Sequence, residues 1–123
     1  MRPAQTFIYR IIKEESLKDI LSPNQKKEIT SPFIIEVVAE HFGITPADIF
    51  SSKRSKEIVY PRQIAMYLCR KMTSDTLDTV GRVMGNKDHT TILHGEDKIT
   101  TQLETDEGLR NTIEVLKKKI NPG

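Results

Sequence analysis

Residues 85–95 read GNKDHTTILHG, and the reading of this stretch decides the fold. A glycine opens a short turn, and Asp88, His89, Thr90, Thr91 and His94 follow before the next glycine. Three chemistries use such a set: metal ligation, nucleophilic catalysis, and the reading edge of a nucleic-acid-binding helix. Spacing removes the first. His89 and His94 are five apart and diverge on a helix, whereas an i, i+4 pair converges on one ion. The single cysteine, Cys69, has no second thiolate to join it, so no metal is expected. The second lacks its parts. Thr90 and Thr91 have a histidine nearby but no elbow-type turn and no oxyanion donor. No GxxxxGK[ST] phosphate loop occurs anywhere in the chain. The chain does not read as an enzyme.

The neighbours of the stretch favour the third. Thr76 or Asp75 is placed to cap a helix of about nine residues, with Leu77, Val80, Val83 and Met84 as core candidates before Gly85 stops it. Asp88 then caps a second helix. At about 100° per residue, Ile92, Ile99 and Leu103 cluster on that helix, with Leu93 assigned to the same side. Thr90, Thr91, His94 and Lys98 fall largely opposite. Two helices joined by a glycine-opened turn are the outline of a helix-turn-helix. The outer face of the second carries short hydrogen-bonding side chains rather than the long charged ones that merely solubilise a helix.

The rest of the chain is helical in pattern. Residues 7–21, FIYRIIKEESLKDIL, space Ile8, Ile11, Ile12, Leu17 and Leu21 as a helix, and SPNQKKEITSP at 22–32 reads as a connector. Ser31-Pro32 is expected to start the main domain, with Ile34, Ile35, Val38, Ala39 and Phe42 as its first stripe and Gly43 as its stop. A short helix follows from Thr45-Pro46 to Phe50. Residues 51–59 are expected to form a basic loop, with a helix from Tyr60-Pro61 to about Met72. A last helix spans about Asp106 to Ile120. With no convincing strand, the fold class is all-α. It is a multi-helix domain over 31–123 with a helix-turn-helix of the Trp-repressor-like kind, preceded by a linker helix and connector over 1–30.

Composition narrows the partners. No apolar run approaches the roughly 18–20 residues needed to span a bilayer, and MRPAQTFIYRIIKEE lacks the features of a secretion signal; a cytoplasmic protein is expected. Net charge is only +2, and residues 31–101 balance nine Lys/Arg against nine Asp/Glu. Yet within 53–71, Lys53, Arg54, Lys56, Arg62, Arg70 and Lys71 face Glu57 alone. A chain neutral on average but basic in one patch suits a directed anionic partner, although Lys53, Lys56 and Lys71 have a solubilising role open to them as well.

Residue by residue, the pattern fits duplex DNA. Threonine offers a hydroxyl to base edges and a methyl to thymine, histidine donates or accepts at a purine, and aspartate accepts from base amino groups. Asp88, His89, Thr90 and Thr91 are therefore expected to read bases, with capping a second role for Asp88. Arg54, on a loop beside the helix-turn-helix, suits insertion into a minor groove. Arg62, Gln63 and Arg70 are expected to hold phosphates. His41 reads as a surface residue.

KRSKEIVYPRQIAMYLCRKMT followed by GNKDHTTILHGEDKI closely resembles the C-terminal DNA-binding domain (domain IV) of the bacterial DnaA replication-initiator family. The resemblance covers residues 31 to about 120, with both motifs at the family spacing. It implies sequence-specific binding to DnaA-box sites of double-stranded DNA, as part of replication initiation or its control. It implies the same base-reading set, Arg54 and Asp88 to Thr91, and adds Lys87, His94 and the backbone near Leu77 to the phosphate contacts of Arg62, Gln63 and Arg70. Asn86, Tyr60 and Ser52 stand where the family often has glycine, arginine and lysine. The last two changes remove phosphate contacts but leave the base-reading set intact. Residues 7–30 resemble the end of the family's ATPase domain and its linker helix. The ATPase core is absent, so ATP is expected only in that domain and no cofactor here. The linker helix implies contact with acidic phospholipids, against which Glu14, Glu15 and Asp19 weigh. The chain is either a C-terminal fragment of an initiator or a stand-alone DNA-binding regulator, in either case expected as a monomer. A protein-interaction module docking a partner on 7–21 or 109–120 is the competing reading.

Overall fold

The computed structural model describes residues 28–122, so the helix expected over 7–21 and its acidic residues lie outside the described residues. Helix α1, Ser31–Phe42, starts at Thr30, whose Oγ1 accepts from the Phe33 N–H at 3.3 Å, and ends at Gly43 with φ of 71°. The sequence places the cap at Ser31; the shift of one residue has a cause. Ser31 is buried, and its hydroxyl donates instead to Asp75 Oδ2 at 2.7 Å, tying the start of α1 to a distant loop. Helix α2, Pro46–Phe50, is one short turn held by a reciprocal box between Thr45 and Asp48.

Helix α3, Lys56–Met72, begins a full turn before the expected Tyr60-Pro61 start, with Ser55 at its N-cap and Pro61 inside it. Two features explain the difference. Ile58 is buried and draws the preceding turn onto the core. Pro61 lies so near the helix start that its missing N–H orphans only the carbonyl of the exposed Glu57. Helix α4, Leu77–Val83, follows its cap Thr76; α5, His89–Gln102, its cap Asp88; and α6, Glu107–Ile120, its cap Asp106.

Helix α3 is the axle of the bundle. Ile64, Ala65, Met66, Tyr67, Leu68 and Cys69 are six consecutive buried residues, because α1, α2, α4 and α5 all pack around it. Ile34, Ile35 and Val38 of α1, Val80 of α4 and Met84 at its end, Ile92 and Ile99 of α5, and Ile113 and Leu116 of α6 complete the core. Burial drives the Cys69 thiol up to about 12, which makes it an inert packing residue. Among the described residues there is no strand, and no helix is long and apolar enough to cross a membrane. One core assignment is corrected: Leu93 is 39% exposed, because it lies a third of a turn past Ile92, outside the face that meets α3.

Candidate nucleic-acid interface

Helices α4 and α5 and the turn between them form the helix-turn-helix, and glycine sets its geometry twice. Gly85 has φ of 91° and Asn86 follows at 59°, a left-handed pair that turns the chain between the helices. Gly81 lies against the turn itself. Its carbonyl accepts from the Lys87 N–H at 2.8 Å, and a Cβ at Gly81 would collide with the Lys87 carbonyl oxygen. The turn thus rests on bare backbone.

Asp88 caps α5, with the Thr90 N–H donating to its carboxylate at 3.4 Å. His89, Thr90, Thr91 and His94 are all exposed on this helix, while Ile92, Gly95 and Ile99 face α3 and the core. Beside them opens a cleft of about 440 Å³, walled by the 51–54 loop, α3 and α5. Arg54, Arg62, Gln63, Lys87, Thr91 and His94, six of the expected contact residues, line it together. Arg54 is exposed and has no ion-pair partner among the described residues.

Two expected phosphate holders, Arg62 and Arg70, also make bonds within the fold. Arg62 is 7% exposed. Its Nε donates to Ile49 O at 2.9 Å, Nη1 to Lys53 O at 2.8 Å, and Nη2 to Asp48 O at 3.1 Å and Ser51 Oγ at 3.3 Å. That uses four of the five guanidinium donors. Arg62 therefore holds the loop that carries Arg54, while its side chain also borders the cleft. Burial lowers its pKa from the ordinary value. Arg70 is likewise committed: Nε pairs with Glu96 at 3.3 Å and Nη1 donates to Asp75 O at 2.9 Å, joining the end of α3 to α5 and to the loop before α4. The sequence shows arginine and its charge but not these carbonyl acceptors, which only the fold assembles.

Lys87 is shared between roles. Its Nζ donates to Phe50 O at 2.8 Å and Ser51 O at 3.1 Å, while the side chain still borders the cleft. Burial, and then the nearby Arg62, lower its pKa. Leu77 is the first residue of α4, where backbone N–H groups lack acceptors within the helix. The basic patch is partly neutralised from within, Lys53 pairing with Asp48 at 3.2 Å and Lys71 with Glu96 at 3.8 Å.

Three contributors escape the sequence reading. Ser51 gives its hydroxyl to Asp48 O at 2.6 Å and receives both Lys53 N–H and Arg62, so it shapes the loop. Glu96 holds Arg70 and Lys71. Asp78, on α4, has Oδ1 3.8 Å from His89 Nδ1, with Asp88 Oδ1 on the same nitrogen at 3.4 Å. Among the described residues, no three His, Cys, Asp or Glu side chains are grouped to hold a metal ion.

Comparison with known proteins supplies the context. The family described as bacterial DnaA protein helix-turn-helix matches residues 33–99. The chain is 54% identical over 112 residues to the chromosomal replication initiator protein DnaA of Lachnoclostridium phytofermentans, covering 91% of this chain and 25% of that one. A crystal structure of a DNA replication initiation factor superposes with a TM-score of 0.67 at 29% identity, covering 91% of this chain and 34% of the other. The chain thus spans about a quarter of the length of that initiator.

Proposed function

The chain belongs to the bacterial DnaA helix-turn-helix family, and from that premise we propose that it binds double-stranded DNA at DnaA-box sites, in initiation of chromosomal replication or its control. One observation carries the reading. The first turn of α5 presents Asp88, His89, Thr90 and Thr91 to solvent beside a cleft lined by Arg54, Gln63, Lys87 and His94. Short polar side chains at a helix N-terminus suit major-groove base edges. Arg54 reaches the adjacent minor groove from its loop, while Gln63, Lys87, His94 and the Leu77 N–H hold phosphates and set the register. Arg62 and Arg70 serve by holding the loop and α4 in place.

The chain acts as a monomer at the nucleoid, without a cofactor or catalytic step of its own; ATP belongs to the ATPase domain of a full-length initiator. Residues 7–21 add contact with acidic phospholipids, which vesicle flotation with and without anionic lipid tests. The decisive measurement is fluorescence anisotropy on a labelled DnaA-box duplex and a scrambled duplex across a salt series. Preference for the box that survives moderate salt is expected; equal affinity for both would falsify the reading. Exchanging His89 or Thr90 for alanine should cost about 1–3 kcal/mol on the box and little on the scrambled duplex.

A further inference from the structure

Phe50 ends α2 and Ser51 follows it, where helix carbonyls lack a donor from the next turn. The donor comes from across the molecule. Lys87, in the turn of the helix-turn-helix, gives Nζ to Phe50 O at 2.8 Å and to Ser51 O at 3.1 Å, a lysine closing a helix C-terminus. Backbone extends the same joint. A Cβ at Gly85 would collide with the Phe50 carbonyl oxygen, so the turn lies directly against the end of α2. Two cations thus serve one short segment, Arg62 from α3 and Lys87 from the turn. Their closeness is unfavourable: burial, and then Arg62, lower the Lys87 pKa. A lysine placed only to meet a phosphate would stand better away from another cation.

What lies on each side of the joint gives it a use. Arg54 stands three residues beyond Ser51, and Asp88, the cap of α5, comes directly after Lys87. Resting on the DNA-binding reading above, we propose that Lys87 is a positioning residue that holds Arg54, the minor-groove arm, in register with α5, the major-groove helix. Two of its three ammonium donors are committed to the joint, which leaves one for a phosphate. The two grooves of a duplex lie at a fixed spacing, so contacts in both form together only when the two elements hold that spacing. A loop held before DNA arrives also loses less conformational freedom on binding.

Lys87→Met keeps the aliphatic stem and removes the donors. Preference for an A·T over a G·C tract beneath Arg54 should fall by roughly three- to tenfold, the size of a modest coupling between neighbours. Preference at the base pairs read by His89 and Thr90 should stay near wild type.

The test has two arms on the whole chain. Nitrogen-15 relaxation of the free protein reads the motion of the 51–54 amides. These should be as rigid as α2 in the wild type and in Lys87→Arg, which keeps a cation with several donors, and more mobile in Lys87→Met. Equal rigidity in Lys87→Met and the wild type overturns the proposal. The second arm measures Lys87→Met, Arg54→Ala and the double variant by anisotropy, on a DnaA box and on one whose A·T tract is replaced by G·C pairs. The double variant is expected to lose no more tract preference than Arg54→Ala alone. A lysine that only holds a phosphate weakens both duplexes alike and adds in full to Arg54→Ala, and that result overturns the proposal too. Wild-type indifference between box and scrambled duplex removes the DNA-binding reading instead, and the relaxation arm separates that outcome because it contains no DNA.

Discussion

Arg62 shows how far a single side chain's role depends on what the backbone brings to it. Three carbonyls from residues 48–53 converge on its guanidinium. Truncation to alanine leaves them without their donor, and destabilisation of about 2–4 kcal/mol is expected, since each buried unsatisfied carbonyl costs roughly 1–3 kcal/mol. Arg62→Lys should recover little of it, because an ammonium cannot reproduce the planar fork. Urea denaturation of the two variants checks this, and near-wild-type stability of the lysine variant would refute the loop-holding role. Asp88 allows its two roles to be separated at one position. Asp88→Ala removes cap and carboxylate together, losing about 1 kcal/mol of stability and the box preference. Asp88→Ser keeps a cap, so thermal stability should stay near wild type while the preference still falls. Box preference kept in Asp88→Ser and lost only in Asp88→Ala would mean that capping is the whole of its contribution.

At the scale of elements, α2 is the smallest helix and the one on which the 51–54 loop depends. It is held by the Thr45 N–H donating to Asp48 Oδ2 at 3.1 Å and the Asp48 N–H donating to Thr45 Oγ1 at 3.1 Å. The backbone N–H of Thr45, then Lys53, lower the Asp48 pKa from its ordinary 3.8. Because the folded value is the lower, the carboxylate's contribution is fully present above the ordinary value and is lost as pH falls through the lowered one. Asp48→Asn should flatten the acid limb of stability against pH, read from urea midpoints between about pH 5 and about pH 2.5. An acid limb as steep as wild type would place the titration elsewhere. The elements also show what the sequence discloses. Periodicity and caps gave the starts of α1, α4, α5 and α6 to within a residue or so, because each buries one stripe and opens on a polar cap. The start of α3 was hidden because proline outweighed Ile58 in the local pattern, although a helix buried on nearly every side has no stripe to read. The exposed polar face at the start of α5 was legible because it is local to one helix. The holding roles of Arg62 and Arg70 were not, since backbone carbonyls and Glu96 become acceptors only once the fold brings them to the guanidinium groups.

Over the whole molecule, the same redistribution decides how the chain responds to salt. The count of basic residues in 53–71 suggests a steep dependence, but Lys53, Arg70 and Lys71 are paired with acids and Arg62 is bound to carbonyls. A cation already paired with an acid, or with its donors committed inside the fold, is less available to a phosphate, whereas each phosphate neutralised by an available one contributes about 0.9 to the slope of log K against log salt. Arg54, without an ion-pair partner among the described residues and lining the cleft, is such a residue. Arg54→Ala should therefore reduce the slope by about one and weaken binding most where the neighbouring minor groove is narrow and rich in A·T pairs. Arg70→Ala should leave the slope nearly unchanged but lower stability, because Glu96 and the Asp75 carbonyl lose their partner. Anisotropy titrations from low to moderate salt, run beside denaturation curves, distinguish the two. A slope lost with Arg70 and kept without Arg54 would reverse the assignment, making the end of α3 the phosphate track and the 51–54 loop a bystander.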